Sequence, residues 1–271
     1  MKKLWFTLAG VLALLASSCI EHHATLSLNK DGSGTITEET VMGAQAVEMM
    51  EGMAAMGGEE GGGGNPFADM ADKAKAEEKA KQMGEGVTVK EVKAIDEGGR
   101  KGARIVYAFE DINKVKFSFG DAMSEMGEGM APDEGGEEEA GDEPMAFSYK
   151  DGVLTLKNDM EDAGAGDEGE KPEAQEMGEQ EMAMAQQMFG DMKMSLKIEL
   201  PGGIKETNAS HVDGNTVTFM DIDFGKLVSD PEKFKKFAAA QPETPGEMQE
   251  ALKGIDGVKV ETKEEVTIEL K

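Results

Sequence analysis

The strongest constraint on this chain is its single cysteine, Cys19, which sits directly behind a basic start, an apolar run and a few small residues. Met1-Lys2-Lys3 is the basic start, Leu4 to Ala16 is the apolar run, and Ala16-Ser17-Ser18 supplies the small residues. That order is a secretory signal peptide: the charge retains the start on the cytoplasmic side while the apolar run enters the translocase. The run is shorter than the roughly 20 apolar residues of a spanning helix. Removing residues 1–18 leaves 253 of the 271 residues and takes away Trp5, the only tryptophan. The remainder is enough for one or two domains, which must hold together without an intramolecular disulfide.

A cysteine immediately after such small residues resembles the lipobox of bacterial lipoproteins, although Ala16 stands where Leu is commonest and Leu15 lies one residue further back. The resemblance implies cleavage between Ser18 and Cys19, and acyl chains such as palmitate on Cys19. Read as an incidental residue, Cys19 would be a free thiol in an oxidising compartment. Lipidation explains it instead. Stable attachment takes at least two chains, at about 0.8 kcal/mol per buried methylene. Ile20 rather than Asp as the second mature residue favours the outer membrane of a Gram-negative host, with the domain on its periplasmic face.

The net charge of −27 is unevenly placed. Asp121 to Met145 holds ten acids and no base, and Asp159 to Met182 holds ten acids and one lysine. Charge of this sign repels nucleic acid and anionic phospholipid, so neither is expected as a partner. The stretches 57–64, 127–144 and 163–170 are rich in Gly and acids and poor in large apolar residues. Such composition does not offset the entropy of ordering and predicts flexible surface loops.

Between these tracts lie short alternating runs broken by turn residues. Thr25 to Leu28 leads through Asn29 to Gly34 into Thr35-Ile36-Thr37; Phe147 to Tyr149 leads through Asp151-Gly152 into Val153 to Leu156; Val212 leads through Asp213-Gly214 into Thr216 to Phe219. Asp-Gly between alternating runs is a hairpin signal. Further strands are expected at 87–95, 103–109, 115–119, 194–200, 257–261 and 266–270. Asn65-Pro66 predicts a helix start, running to about Met83, and Ser229-Asp230-Pro231-Glu232 opens another. Stretches 41–56 and 172–189 also read as helical.

The fold class is therefore α+β: antiparallel sheet hairpins with a few helices on one face, interrupted by acidic Gly-rich loops. Its expected segments are a signal peptide at 1–18, a lipidated tether and first α+β part at 19–119, an acidic insert at 120–145, a hairpin at 146–158, a second acidic insert at 159–178, and a helix with a second β-rich part at 179–271, sharing one sheet with the first.

Candidate chemistry is sparse. Asn29 to Thr40 imitates a calcium loop, but Asn29 replaces the first Asp and Thr40 the final bidentate Glu, which leaves a hairpin turn. Gly164-Ala165-Gly166-Asp167-Glu168-Gly169 matches a dinucleotide fingerprint without a preceding strand, and its acids would repel a pyrophosphate. Methionine is abundant, at 21 residues. The clusters Met49, Met50, Met53, Met56 and Met182, Met184, Met188, Met192, Met194 suit either Cu(I) or irregular helix packing. His22 and His23 stand beside the anchor on a presumed tether, and His211 lies at the edge of a hairpin. No nucleophile–base arrangement stands out, so no enzyme, cofactor or metal site is expected.

Ala24 to Thr35, together with Leu200-Pro201-Gly202-Gly203-Ile204-Lys205-Glu206-Thr207-Asn208 and Val212 to Val217, resembles the poorly characterised bacterial lipoproteins of the LppM type. That resemblance covers the two ends, about a third of the chain, and implies a sheet-rich α+β domain behind the lipobox; the acidic inserts depart from the pattern. The expected role is a non-catalytic, membrane-anchored domain that binds a ligand or envelope protein or serves the envelope structurally. The alternatives are an exported metal buffer, through the methionines or the acidic tracts, and a lipid-binding carrier.

Overall fold

A computed structural model describes residues 20–56, 67, 69–118, 145–157, 190, 192–230, 232, 234, 254–255 and 257–271. The class is α+β, with many strands and few helices. Residues Ile20–Leu28 form β1 and Gly34–Met42 form β2, an antiparallel pair in register from Ile20 opposite Met42 to Leu28 opposite Gly34. Helix α1 spans Ala44–Met56 and α2 spans Lys73–Gln82. Strands β3 (Thr88–Glu97), β4 (Arg100–Phe109) and β5 (Lys116–Phe117) follow, then β6 (Met145–Lys150) and β7 (Val153–Lys157). The last part carries β8 (Lys193–Glu199), β9 (Ile204–Thr207), β10 (Val212–Asp213), β11 (Thr216–Asp223), helix α3 (Phe224–Ser229), β12 (Val258–Val260) and β13 (Glu265–Leu270).

The strands make two sheets, and β8, β10, β11 and β12 of the last part lie in the larger one with β1 to β4, while β9 and β13 lie in the smaller. The larger has the order β10-β11-β8-β1-β2-β4-β3, with β12 also on β11; the smaller has the order β5-β6-β7-β13-β9. The expected all-antiparallel pairing fails at one place, because β8 runs parallel to β1 along Glu21 to Ser27. Parallel neighbours need a long crossover, and here more than 150 residues separate the two strands in sequence. The sheets share one apolar core, to which the larger contributes Leu26, Ile36, Tyr107 and Ile198, and the smaller Leu154, Leu156 and Ile268. Helix α2 adds Ala80 to this core and packs against β3. A satellite cluster of Ile20, Met42, Ala46, Val47 and Phe67 packs α1 onto the first residues of β1.

The Asp-Gly turns form where expected. Asp151 and Gly152 both take positive φ, 53° and 82°, as a two-residue hairpin turn between β6 and β7 requires. Asn29 to Ser33 closes the first hairpin: the Asn29 N–H donates to the Ser33 carbonyl at 2.8 Å, and the Asp31 carboxylate accepts from the Ser33 N–H and hydroxyl at 3.0 and 2.6 Å. The apparent calcium loop is a turn whose acid is used locally.

The helix expected from Asn65 to Met83 starts later. A short 3-10 turn covers Asp69–Ala71, and Asp72 is the cap, its carboxylate accepting from the N–H groups of Ala74 and Lys75 at 2.7 and 3.1 Å. An extended Asp followed by Lys-Ala-Lys-Ala-Glu-Glu-Lys is a stronger start than Asn-Pro. Stretch 41–56 divides, since Val41 and Met42 complete β2 before α1 begins. The Phe234 N–H donates to the Asp230 carbonyl at 2.9 Å, as a helix opening there requires, but α3 precedes that point and had no counterpart in the sequence reading. The expected helix at 172–189, the Gly164 to Gly169 stretch and most of both acidic inserts lie outside the described residues.

Candidate functional site: the first strand and the faces it organises

Strand β1 begins at Ile20, the residue after Cys19. Cys19 and Ser18 themselves lie outside the described residues. The expectation of a tether carrying His22 and His23 is overturned, because both histidines sit in β1, in the interior of the larger sheet. Alternation sends Ile20, His22, Ala24, Leu26 and Leu28 to the inner face, and Glu21, His23, Thr25 and Ser27 to the outer face. A histidine at an inward position interrupts the apolar rhythm, which is why the strand read as starting only at Thr25.

The two imidazoles therefore work on opposite faces. His22 Nδ1 is 2.8 Å from the Thr40 hydroxyl, on the directly opposite residue of β2, while His23 Nδ1 is 2.8 Å from the Ser195 hydroxyl on β8. Burial lowers the His22 pKa to about 4, with help from the Lys79 and His23 charges, so the ring is neutral near pH 7. Beside it on the inner face of β2 is Glu38, only 5% exposed, whose carboxylate meets the Lys79 ammonium of α2 at 3.2 Å. Sequence reasoning missed this polar group, since Glu38-Glu39 looks like solvated charge. Its chemistry is positional. The ion pair joins α2 to the inner face of the sheet, and the His22–Thr40 bond joins β1 to β2 on the same face.

Further along the same face, Ala24 and Leu26 line a narrow apolar cleft between the sheets, with Ile36, Phe117, Met145 and Phe147. Its free space is about 10 Å³, the room of one water molecule. Met145 and Phe147 remain half-exposed on β6, so one wall is a strand near the sheet edge. A separate polar groove of about 330 Å³ lies by the first hairpin, bordered by Ser27, Asn29, Thr35 and Lys90.

A second buried acid, Glu261, is 1% exposed and accepts from the Ser210 N–H at 2.5 Å, the Ser210 hydroxyl at 2.9 Å, and the N–H groups of Thr262 and Lys263. His211, expected to be solvated, is partly buried, with Nε2 3.2 Å from the Val260 carbonyl. Ser210 and His211 thus serve different partners. Of the methionines, Met194 is buried in the sheet, and Met50, Met70 and Met192 pack against the satellite cluster. Among the described residues no group of three His, Cys, Asp or Glu could hold a metal ion, and no helix is long and apolar enough to cross a membrane.

No family profile and no curated protein matches the chain. Among solved structures, the folded domain of the LppM protein of Mycobacterium tuberculosis aligns over 80% of this chain and 85% of that one, at 11% identity and a TM-score of 0.29. A likeness at that score carries no functional argument, so a functional reading rests on this chain's own residues.

Proposed function

We propose that the chain is an exported lipoprotein, cut between Ser18 and Cys19, acylated on Cys19, and holding a non-catalytic domain in the bacterial cell envelope. What supports the reading is the sequence pattern: a basic start, an apolar run and small residues stand directly before the one cysteine, and the first described strand follows from Ile20. The domain is a binding or structural module for an envelope partner or ligand, and in a Gram-negative host it faces the periplasm from the outer membrane. The described histidines each bond across strands or loops, His22 to the Thr40 hydroxyl, His23 to the Ser195 hydroxyl and His211 to the Val260 carbonyl, which suits a structural use of these rings.

A second reading, a lipid-binding carrier, draws on the apolar cleft, whose half-exposed Met145 and Phe147 could part from the opposite wall to admit an acyl chain. Labelling of growing cells with a fatty-acid analogue tests the main reading. Wild type should carry label and sediment with membranes, and Cys19→Ala should carry none. Equal labelling of the two would contradict it.

A further inference from the structure

Resting on the acylation of Cys19, we propose that the end of the larger sheet bearing Ile20, with α1, is a membrane-seated face, its occupant the headgroup layer of the bilayer that holds the anchor. The chain has no slack there. Adjacent Cα atoms are about 3.8 Å apart, and Ile20 cannot serve as a spacer. It is paired with Met42 and buried at 8% exposure against Ala46 and Val47 of α1. An acylated neighbour of so firmly packed a residue brings the acyl chains to the edge of the fold itself, with no linker to let the domain stand off.

The register shows what else lies at that edge. Met42 is opposite Lys101, Glu97 is opposite Arg100 across the turn between β3 and β4, and Glu21 is opposite Lys193. Glu21 is held by two cations, paired with Arg100 and 3.7 Å from Lys193, and Lys101 pairs with Glu51 at 2.5 Å while lying over the Phe67 ring. Glu48, Asp96 and Glu97 are present as well, so this end is of mixed charge in a chain whose total is −27. The acids Glu21, Glu48, Glu51, Asp96 and Glu97 outnumber Arg100, Lys101 and Lys193 there, so the seating follows from the absence of slack behind the anchor and not from charge attraction. At roughly 3.4 Å per residue, the nine residues of β1 place the opposite end, the turn from Asn29 to Ser33, about 27 Å away. The β6–β7 hairpin is tied to that distal end, for the Tyr149 hydroxyl donates to the Lys30 carbonyl at 2.8 Å.

The test uses the acylated full chain, reconstituted in zwitterionic phosphatidylethanolamine–phosphatidylcholine nanodiscs containing a headgroup-linked nitroxide quencher. Gln45→Cys places a fluorophore on an exposed position of α1, and Lys30→Cys places one at the far turn; Cys19, consumed by lipid, takes no dye. The expected result is loss of fluorescence at position 45 and none at position 30. Intact mass of the same samples separates the two claims. Acylated protein with position 45 unquenched, or with both positions quenched alike, overturns the seating while leaving the anchor. Protein without acyl chains overturns the anchor and the seating together.

Discussion

The Lys79 ammonium lies 3.2 Å from the carboxylate of Glu38, and this pair joins a helix to the inner face of a sheet where only 6% of the glutamate side chain is exposed. Burying the pair is of little net benefit by itself, but removing one charge leaves the other in an apolar setting. Lys79→Met should lower unfolding free energy by about 3 kcal/mol, and the double variant Lys79→Met/Glu38→Leu should recover much of that loss. Urea denaturation of the two variants checks this. An undiminished midpoint in Lys79→Met would mean the pair does not hold α2 in place.

His22 sets a pH dependence. Its folded pKa of about 4 lies below its ordinary 6.5, so the unfolded chain binds this proton more readily than the folded one. The sign follows: stability contributed by the neutral ring is present above pH 6.5 and is lost as pH falls toward 4, on the order of 3 kcal/mol in all. Asp31 and Asp111, held below the usual carboxylate range by hydrogen bonds from Ser33 and Asn113, act at lower pH than this window. Thermal melts between pH 7 and 4 should fall more steeply for wild type than for His22→Leu.

The cleft between the sheets should respond to a change in its walls. Leu26, 3% exposed, lines it from β1. Leu26→Ala should destabilise by about 2–5 kcal/mol and enlarge the space, raising the binding of an apolar fluorescent dye under conditions where the protein stays folded. Dye titration alongside circular dichroism measures both effects. A stable variant with unchanged dye uptake would contradict the assignment of this space as the opening between the sheets.

Gly34 is a place where only hydrogen fits. A Cβ there would stand 2.1 Å from the Ser27 carbonyl oxygen and 2.6 Å from the Phe109 ring. Because one of those neighbours is backbone in a paired strand, Gly34→Ala should cost more than about 2 kcal/mol, seen as a lowered urea midpoint.

What was legible in the sequence follows the range of the interaction. Asp151-Gly152 and Asp213-Gly214 announced their hairpins because the turn conformation is decided within two residues. β9 escaped notice, since Ile204-Lys205-Glu206-Thr207 is short, polar and half-exposed, and its place in the smaller sheet depends on β13, some 60 residues away. The parallel seam between β1 and β8, which joins the two ends of the chain within the larger sheet, depends on pairing at still longer range. His22, Glu38 and Glu261 were hidden for another reason. A polar residue in a buried position is stabilised by partners far away in sequence, so its own neighbours give no sign of it. The proposed export signal, by contrast, is a contiguous pattern of charge, apolar run and small residues, a sequence reading that lies outside the described residues.

The central claim is that the fold is joined to a membrane through the residue in front of β1. Mass spectrometry of the N-terminal peptide from protein purified out of native envelopes tests it most directly. The account predicts a peptide that starts at Cys19 and carries the mass of a diacylglycerol thioether; a peptide that begins elsewhere, or that contains Cys19 with a free thiol, would contradict it.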